Sequence, residues 1–459
     1  NKVSKIDSLL NYYYSFDALN GCVLVSDKNK IIYQKAFSKA NFEWGIPNTV
    51  DTKFEIASIT KHFTAIIILQ LVEQGKLNLS GTISDYLPDY PKDKGLKISL
   101  HQLLTHTSGI TDERFIENFD NEYGMRKVTH EHFIALFKDK DLLFEPGTKW
   151  SYSNFGYNLL AFIAESVTKK SFDELLKENI FTPSGMYNSS TLETPSINTV
   201  MASAYEIRFS DINKGQYYDG SSCFGTANII TTIGDYFLFN RTLLSGKLLG
   251  KKYLDTLFSP YTNMSGEITG YSLWYDKLPL NKSDTITIIR TAGTMLGWNS
   301  VAYNMRDGKS IVIFLNIKSP SMFEIADNIT NIIYDLSFEY PKDNYAHILF
   351  MEELTTGIDS AIEHYRDLKK KNCCTEKFRD MNRLGYFYLE KDKIDKAIKV
   401  FKLNIEIFPE NADGYDSLGE AYLKKGDRKN ALENYEKSFQ LDPKNVNAKN
   451  IIEKMKSEQ

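Results

Sequence analysis

Residues 54–65 have the sequence FEIASITKHFTA and lead directly into the apolar run IIILQLV at 66–72. Small and polar residues followed by an almost continuous apolar segment predict the start of a buried helix. Positions three apart share one face of a helix, so Ser58 and Lys61 are expected to touch. A serine needs such a neighbour to take its proton before it can act as a nucleophile at neutral pH. Because Ser166-Val-Thr-Lys169 fits the same short pattern, the assignment of Ser58 depends on motifs elsewhere in the chain.

The composition is that of an ordinary globular protein, with 42% hydrophobic and 25% charged residues in a chain of 459. A net charge of −4 implies no general affinity for nucleic acid or for anionic membranes. No apolar run reaches the length of about 18 residues that predicts a membrane span. The four cysteines and the histidines lack the spacing of a zinc site, so we expect no metal and no other cofactor. His101 and His106 are therefore predicted to be structural.

Apolar segments typical of strands occur at both ends of the first 340 residues. Two lie early, at 21–26 and 31–37, and four lie late, at 270–275, 285–290, 300–305 and 310–315. With helices between them, this order predicts an α/β (α+β) domain in which one antiparallel sheet is closed by both ends of the segment. Residues 98–109 predict one of the helices, with Ser99 as its N-cap and Gly109 as its end.

Residues 379–445 repeat with a period of 34. Four pairs of equivalent residues carry the period: Gly385 and Gly419, Ala397 and Ala431, Phe401 and Tyr435, Pro409 and Pro443. The pattern resembles tetratricopeptide repeats, in which pairs of helices stack. Residues 347–370 predict a degenerate preceding repeat, and 446–456 a capping helix. We therefore predict two domains, an α/β domain at 1–340 and an all-α repeat domain at 341–459, with the repeats at 379–445 binding a protein or peptide partner.

Several short motifs occur in a fixed order through the first domain. They are FEIASITK at 54–61, LLTHTSGI at 103–110, PGTKWSYSN at 146–154, GTA at 225–227 and GTMLGWNS at 293–300. Together they resemble the serine β-lactamase and penicillin-binding-protein-like family, nearest to the class C β-lactamase and D-aminopeptidase/esterase branch. The Tyr152-Ser-Asn154 motif takes the place of the class A Ser-Asp-Asn box.

The resemblance implies a role for each matching residue. Ser58 would be the acylated nucleophile, and Lys61 and Tyr152 would share the work of general base and acid. Asn154 would hydrogen-bond the substrate amide and Lys61. The backbone amides of Ser58 and Thr294 would form the oxyanion hole, with Gly293 allowing the substrate backbone to approach.

The third motif departs from the family pattern. Where the family has Lys-Thr-Gly or His-x-Gly, this chain has Thr291-Ala292-Gly293, and so lacks the cation that binds a substrate carboxylate. Arg290 is a doubtful substitute, because neighbours along a strand point to opposite faces. Two hypotheses follow: a serine hydrolase that acts on an ester, amide or peptide, or a catalytically weakened homologue that binds peptide or cell-wall fragments and recruits a partner through its repeats. The intact Ser58, Lys61 and Tyr152 favour the hydrolase.

The chain starts at Asn1 with neither a methionine nor an apolar leader. This start is typical of a mature or trimmed chain from which an export signal has been removed. We therefore expect an exported protein, periplasmic or extracellular.

Overall fold

The computed structural model describes residues 1–15, 17–193, 199–281, 283–319, 321–338, 340, 343–370, 374–375 and 377–457. The chain forms two compact units, one made of Asn1–Ile207 and Ile212–Glu339 and the other of Arg208–Asp211 and Tyr340–Gln459. The predicted boundary between residues 340 and 341 falls at Pro341, which lies outside the described residues. That 1–340 and 341–459 are separable domains stays a prediction.

The first unit is built on a six-stranded antiparallel sheet. Its strands are β1 Gly21–Asp27, β2 Lys30–Phe37, β3 Trp274–Pro279, β4 Thr285–Met295, β5 Trp298–Asn304 and β6 Ser310–Leu315, in the order β3-β4-β5-β6-β1-β2. Pairing of β1 with β6 joins the two ends of the unit, which confirms the predicted single sheet. Two boundaries were wrong. The edge strand begins at Trp274 and not at Gly270, because Ser272 has a left-handed φ of 55° that interrupts extended backbone. The strand expected over 285–290 continues to Met295, because residues 291–295 keep pairing with the neighbouring strand.

Helices cover both faces of this sheet. The longer ones are α1 Lys2–Ser15, α2 Thr60–Glu73, α3 Asn154–Thr168, α4 Ile233–Leu244 and α5 Met322–Ile333. Successive side chains of a strand point to opposite faces. In β1, Val25 accordingly packs with α1 and α5, whereas Leu24 packs in the larger core that contains α2, α3 and α4.

Shorter elements complete the first unit. The additional α-helices are Ile83–Tyr86, Lys92–Gly95, Leu100–Leu104, His130–Phe137, Phe172–Leu176, Thr182–Ser184 and Lys251–Leu257; 3-10 helices span Ala57–Ile59, Glu113–Phe115 and Gly220–Cys223; π-helical turns span Asp120–Gly124 and Lys177–Phe181. Short strands span Lys39–Asn41, Ile46–Pro47, Phe54–Glu55, Ser190–Thr191, Ile229–Thr231, Tyr261–Thr262 and Ile268–Thr269. Two more, Tyr205–Arg208 and Asp211–Lys214, belong to the first unit except for Arg208 and Asp211.

The helix predicted over 98–109 is shorter than expected. Ser99 is its N-cap, as predicted, and accepts a hydrogen bond from the Gln102 amide. The helix ends at Leu104 and does not reach Gly109, because His106 adopts a left-handed φ of 57° that α-helix cannot accommodate. This early end frees His106 to point toward the neighbouring loop.

The second unit is a stack of antiparallel helices. They span Tyr345–Thr356, Ile358–Lys370, Phe378–Glu390, Ile394–Ile407, Ala412–Lys425, Arg428–Leu441 and Val446–Ser457, and a short strand pair joins Asp343–Asn344 to Cys374–Thr375. The 34-residue period has a steric basis. A Cβ at Gly385 would lie 2.2 Å from the Phe401 ring, and one at Gly419 would lie 3.1 Å from the Tyr435 ring. Each glycine therefore makes room for the aromatic residue of the following helix.

Candidate active site

Ser58 lies where an extended segment turns into a helix. Phe54–Glu55 pairs with Ile229–Thr231, and the chain then passes through the 3-10 turn Ala57–Ile59 into α2. Ala57 has a left-handed φ of 46°, a strained conformation of the kind found at functional sites. The apolar body of α2 is buried and holds this turn in place, while Ser58 stays partly accessible.

Lys61 is buried and points at the Ser58 hydroxyl. Its Nζ donates to Ser58 Oγ over 3.1 Å and to the Thr226 carbonyl oxygen over 3.2 Å, with only 1% of the residue exposed. The same Nζ also lies 5.0 Å from the centre of the Tyr152 ring. Among the described residues, no carboxylate forms an ion pair with Lys61. The predicted contact between Ser58 and Lys61 is therefore present in the structure.

Tyr152 reaches the same oxygen from a different segment. Its hydroxyl donates to Ser58 Oγ over 2.8 Å. It is placed by the start of α3, where the Ser153 side chain caps the helix by accepting from the Gly156 amide. Ser58 Oγ thus has a lysine and a phenol within hydrogen-bonding distance, which is the reach that proton transfer requires.

Asn154 has a different environment from the one expected. Its side-chain amide donates to Glu113, and its backbone amide donates to Asp112 over 2.5 Å. The hydrogen bond to Lys61 that the resemblance implied is not formed between these two described side chains. Burial, together with the neighbouring Asp112 carboxylate, raises the pKa of Glu113. Sequence reasoning missed Asp112 and Glu113, and no spacing rule links them to Asn154 about 40 residues later.

Gly293 lies directly against the turn that carries Ser58. A Cβ at this position would lie 2.4 Å from the Ile56 carbonyl oxygen and 2.7 Å from the Ser58 amide nitrogen. The neighbouring strand supports the same turn, since Ser300 Oγ donates to the Ile56 carbonyl oxygen over 2.7 Å. The next residue, Thr294, accepts at its hydroxyl from Asn299 over 2.7 Å. The structure therefore brings β4 beside the Ser58 amide, where the resemblance requires it.

Thr291 lies on the same face of β4 as Gly293, two residues earlier. It is 1% exposed, and its hydroxyl has no hydrogen-bond partner among the described residues. Arg290 points to the other face, where it pairs with Asp276 over 2.8 Å and lies 5.4 Å from the centre of the Phe323 ring. Arg290 therefore does not replace the missing cation.

His106 packs against the phenol of Tyr152. The two rings are stacked with centres 4.6 Å apart. His106 Nδ1 accepts from the Ser153 amide over 3.2 Å, which leaves the proton on Nε2, 3.4 Å from Ser272 Oγ.

Within the part of the chain that the structure describes, no three His, Cys, Asp or Glu side chains converge on a possible metal position. The same residues include no helix that is long and apolar enough to cross a membrane.

Comparisons with known proteins find matches to both parts of the chain. A family model described as beta-lactamase matches residues 16–333, and two tetratricopeptide-repeat models match residues 381–411 and 412–445. The putative penicillin-binding protein PbpX of Bacillus subtilis (strain 168) is 29% identical over 335 residues, which cover 73% of this chain and 79% of that protein.

Solved structures give the same result. A penicillin binding protein from Bacillus halodurans superposes with a TM-score of 0.62 at 26% identity, covering 71% of this chain and 98% of that one. A class C beta-lactamase superposes with a TM-score of 0.62 at 20% identity, covering 74% of this chain and 97% of that one, and shows the shared fold. The predicted fold and the predicted repeats are both confirmed.

Proposed function

This chain belongs to the beta-lactamase family, and we propose that it is a serine hydrolase which forms an acyl-enzyme on Ser58. The proposal depends on one observation: Ser58 Oγ lies 3.1 Å from Lys61 Nζ and 2.8 Å from the Tyr152 hydroxyl. A nucleophile within hydrogen-bonding distance of its base is the arrangement that covalent catalysis needs. The substrate class is an ester, amide or peptide.

The proton of Ser58 has a short path to follow. As Oγ attacks the substrate carbonyl, its proton passes to the Lys61–Tyr152 pair, and the Tyr152 oxygen then delivers a proton to the leaving atom. The bond from the carbonyl carbon to the leaving group breaks, and the acyl group remains on Oγ. Water then attacks the acyl-enzyme with the same pair as base, which releases the acid and restores Ser58.

The negative charge on the carbonyl oxygen needs donors that are already in place. The backbone amides of Ser58 and Thr294 are the proposed donors, since β4 lies against the Ser58 turn at Gly293. Asn154, held by Glu113, would present its amide oxygen to the substrate. Removing a single donor of this kind typically costs about 10²–10³ in kcat.

The repeats add a second function. Tetratricopeptide repeats indicate protein–protein interaction, and we propose that residues 379–445 bind a protein or peptide partner. Export to the periplasm or the extracellular space stays a prediction, with penicillin-binding relatives as its support.

Covalent labelling tests the assignment of Ser58. The full chain is exposed to a fluorophosphonate and, separately, to a penicillin, and intact-mass spectrometry counts the adducts. One adduct is expected, and Ser58→Ala should abolish it. The chain supplies a matched control in Ser166, which begins the second Ser-x-x-Lys sequence and donates from its hydroxyl to the Tyr86 carbonyl oxygen. Ser166→Ala should label normally, and labelling that persists in Ser58→Ala would disprove the assignment.

A further inference from the structure

Four residues from the middle of the first unit's sequence belong to the second unit. They are Arg208–Asp211, and the residues on either side, Ile207 and Ile212, belong to the first unit. The strands Tyr205–Arg208 and Asp211–Lys214 pair as a hairpin, so these four residues form its tip. We call Arg208–Asp211 the tip segment. The rest of the second unit is continuous in sequence.

Phe209 is the apolar residue of the tip segment. Its ring centre lies 5.1 Å from that of Phe350 and 5.2 Å from that of Phe387. These two side chains lie on separate helices, Tyr345–Thr356 and Phe378–Glu390, and both are buried in the core of the second unit. Phe209 itself is half-buried against that core. An aromatic side chain that packs on two others is the kind of anchor on which recognition of a peptide depends.

Two ion pairs flank this anchor. Arg208 Nη1 lies 2.6 Å from Glu390 Oε2, and Lys391 Nζ lies 2.7 Å from Asp211 Oδ2. The tip segment thus has a cation before its aromatic residue and a carboxylate two positions after it, and two consecutive residues at the end of a helix offer the opposite charges. Exposed ion pairs add little affinity, but they select a partner by the order of its charges. A segment with the reverse order would place like charges together.

The repeat fold does not require the residues that contact the tip segment. Three of them lie in the first repeat, and a shift of 34 residues gives their equivalents in the next one. The pairs are Phe387 and Ala421, Glu390 and Lys424, and Lys391 and Lys425. The next repeat therefore has neither the aromatic ring nor the adjacent opposite charges, although it forms the same pair of helices, Ala412–Lys425 and Arg428–Leu441. The contacts with the tip segment are thus additional to what the repeat fold needs.

We propose that Phe350, Phe387, Glu390 and Lys391, which we call the anchor surface, bind a peptide segment of a partner protein that has the tip segment's own pattern. The pattern is a cation, an aromatic residue, any residue and a carboxylate. The proposal names the partner chemistry for the binding proposed for the repeats, and so rests on it. The tip segment then acts as an internal competitor, because a covalently attached ligand has a local concentration of roughly millimolar. A partner has to displace it in order to bind.

A peptide with the sequence of residues 205–214, YEIRFSDINK, is the probe. It is labelled with fluorescein and titrated with the full-length protein, and its fluorescence anisotropy reports binding. The wild-type chain should bind it weakly, because its own tip segment covers the anchor surface. The Phe209→Ala chain should bind it at least about tenfold more tightly, since a competitor at roughly millimolar local concentration has been removed. A peptide that itself carries Phe209→Ala should bind neither protein.

Reversal of the charges in the tip segment provides a second way to uncover the anchor surface. A chain with Arg208→Glu and Asp211→Lys keeps the aromatic ring but places like charges beside Glu390 and Lys391. This chain should also bind the unmodified peptide more tightly than the wild-type chain does. Circular dichroism of each variant checks that the protein remains folded.

A charge swap tests whether the peptide binds at the anchor surface. In the Phe209→Ala chain, Glu390→Lys should weaken binding of the unmodified peptide, and a peptide that carries Arg208→Glu should restore it. Glu406→Lys is the matched control, because Glu406 also pairs with an arginine of the second unit, Arg366, over 2.8 Å. This control should leave the affinity unchanged. Equal affinities of the wild-type and Phe209→Ala chains, or a weakening by Glu390→Lys that the swapped peptide does not restore, would overturn the proposal.

The outcomes separate this proposal from the broader one about the repeats. Binding to the Phe209→Ala chain with the expected dependence on charge would support the anchor surface even if the repeats prove to have no natural partner. Absence of binding to that chain would refute the anchor surface, and it would not affect the proposal that residues 379–445 bind a partner through other side chains. Neither result depends on acylation of Ser58.

Discussion

Substituting Gly293 tests how closely acylation depends on contact between β4 and the Ser58 turn. An alanine Cβ would lie 2.4 Å from the Ile56 carbonyl oxygen and 2.7 Å from the Ser58 amide nitrogen. Restoring ordinary van der Waals contact requires the strand and the turn to separate by about 0.7–1.0 Å. A misplacement of about 1 Å at a catalytic centre costs roughly 10²-fold. The overpacking itself should reduce the free energy of unfolding by about 1–3 kcal/mol.

The measurement is the second-order rate constant for labelling by a fluorophosphonate, followed by intact-mass spectrometry, with the melting temperature recorded for each variant. Gly293→Ala should remain folded and label roughly 10²-fold more slowly. Gly234→Ala is the control within the same unit, since its Cβ would be 3.7 Å from the nearest atom, Thr232 Oγ1. Gly385→Ala places a comparable clash in the repeats, 2.2 Å from Phe401, and should lower stability there without slowing the label. A folded Gly293→Ala that labels at the wild-type rate would refute the reasoning.

Three other predictions concern separate parts of the molecule. Lys61→Ala and Tyr152→Phe should each slow acylation roughly 10²–10⁴-fold. The double variant should lose much less than the product of the two single losses, because the two groups act on one proton. If the two losses multiply, the residues have separate roles. A chain shortened to 1–340 should still fold and label, as circular dichroism and mass spectrometry would establish, whereas an unfolded product would show that the repeats complete its core. The pKa of Glu113 is raised in the folded protein, so the stability that its protonated form contributes is present at low pH and is lost as the pH rises through the raised pKa. Glu113→Gln should therefore flatten the fall in melting temperature between about pH 5 and pH 9. An unchanged dependence of melting temperature on pH would contradict this.

Local sequence patterns predicted the elements whose cause is local. Ser58 and Lys61 meet because three residues make nearly one helical turn, which requires no knowledge of the rest of the chain. The repeats were predictable for a similar reason, since each glycine makes room for an aromatic residue at a fixed offset, as Gly385 does for Phe401.

Contacts between distant segments were beyond the reach of those patterns. Glu113 holds Asn154, and this pairing depends on how the 3-10 turn at Glu113–Phe115 packs beside the start of α3. The early end of the helix Leu100–Leu104 has the same origin. His106 leaves helical geometry where its ring stacks on Tyr152 and its Nδ1 accepts from Ser153, and no residue near it in sequence signals those contacts.

The loss of the cation at position 291 bears on the choice between a hydrolase and a weakened homologue. If that cation were needed to orient the phenol, Tyr152 would have no fixed position without it. In this structure the Tyr152 hydroxyl donates to Ser58 Oγ. The Tyr152 ring is stacked on the His106 ring, and it also contacts Lys61 Nζ. The phenol is therefore held by groups other than residue 291. What the substitution removes is charge beside the scissile bond, and that favours a change of substrate over a loss of chemistry.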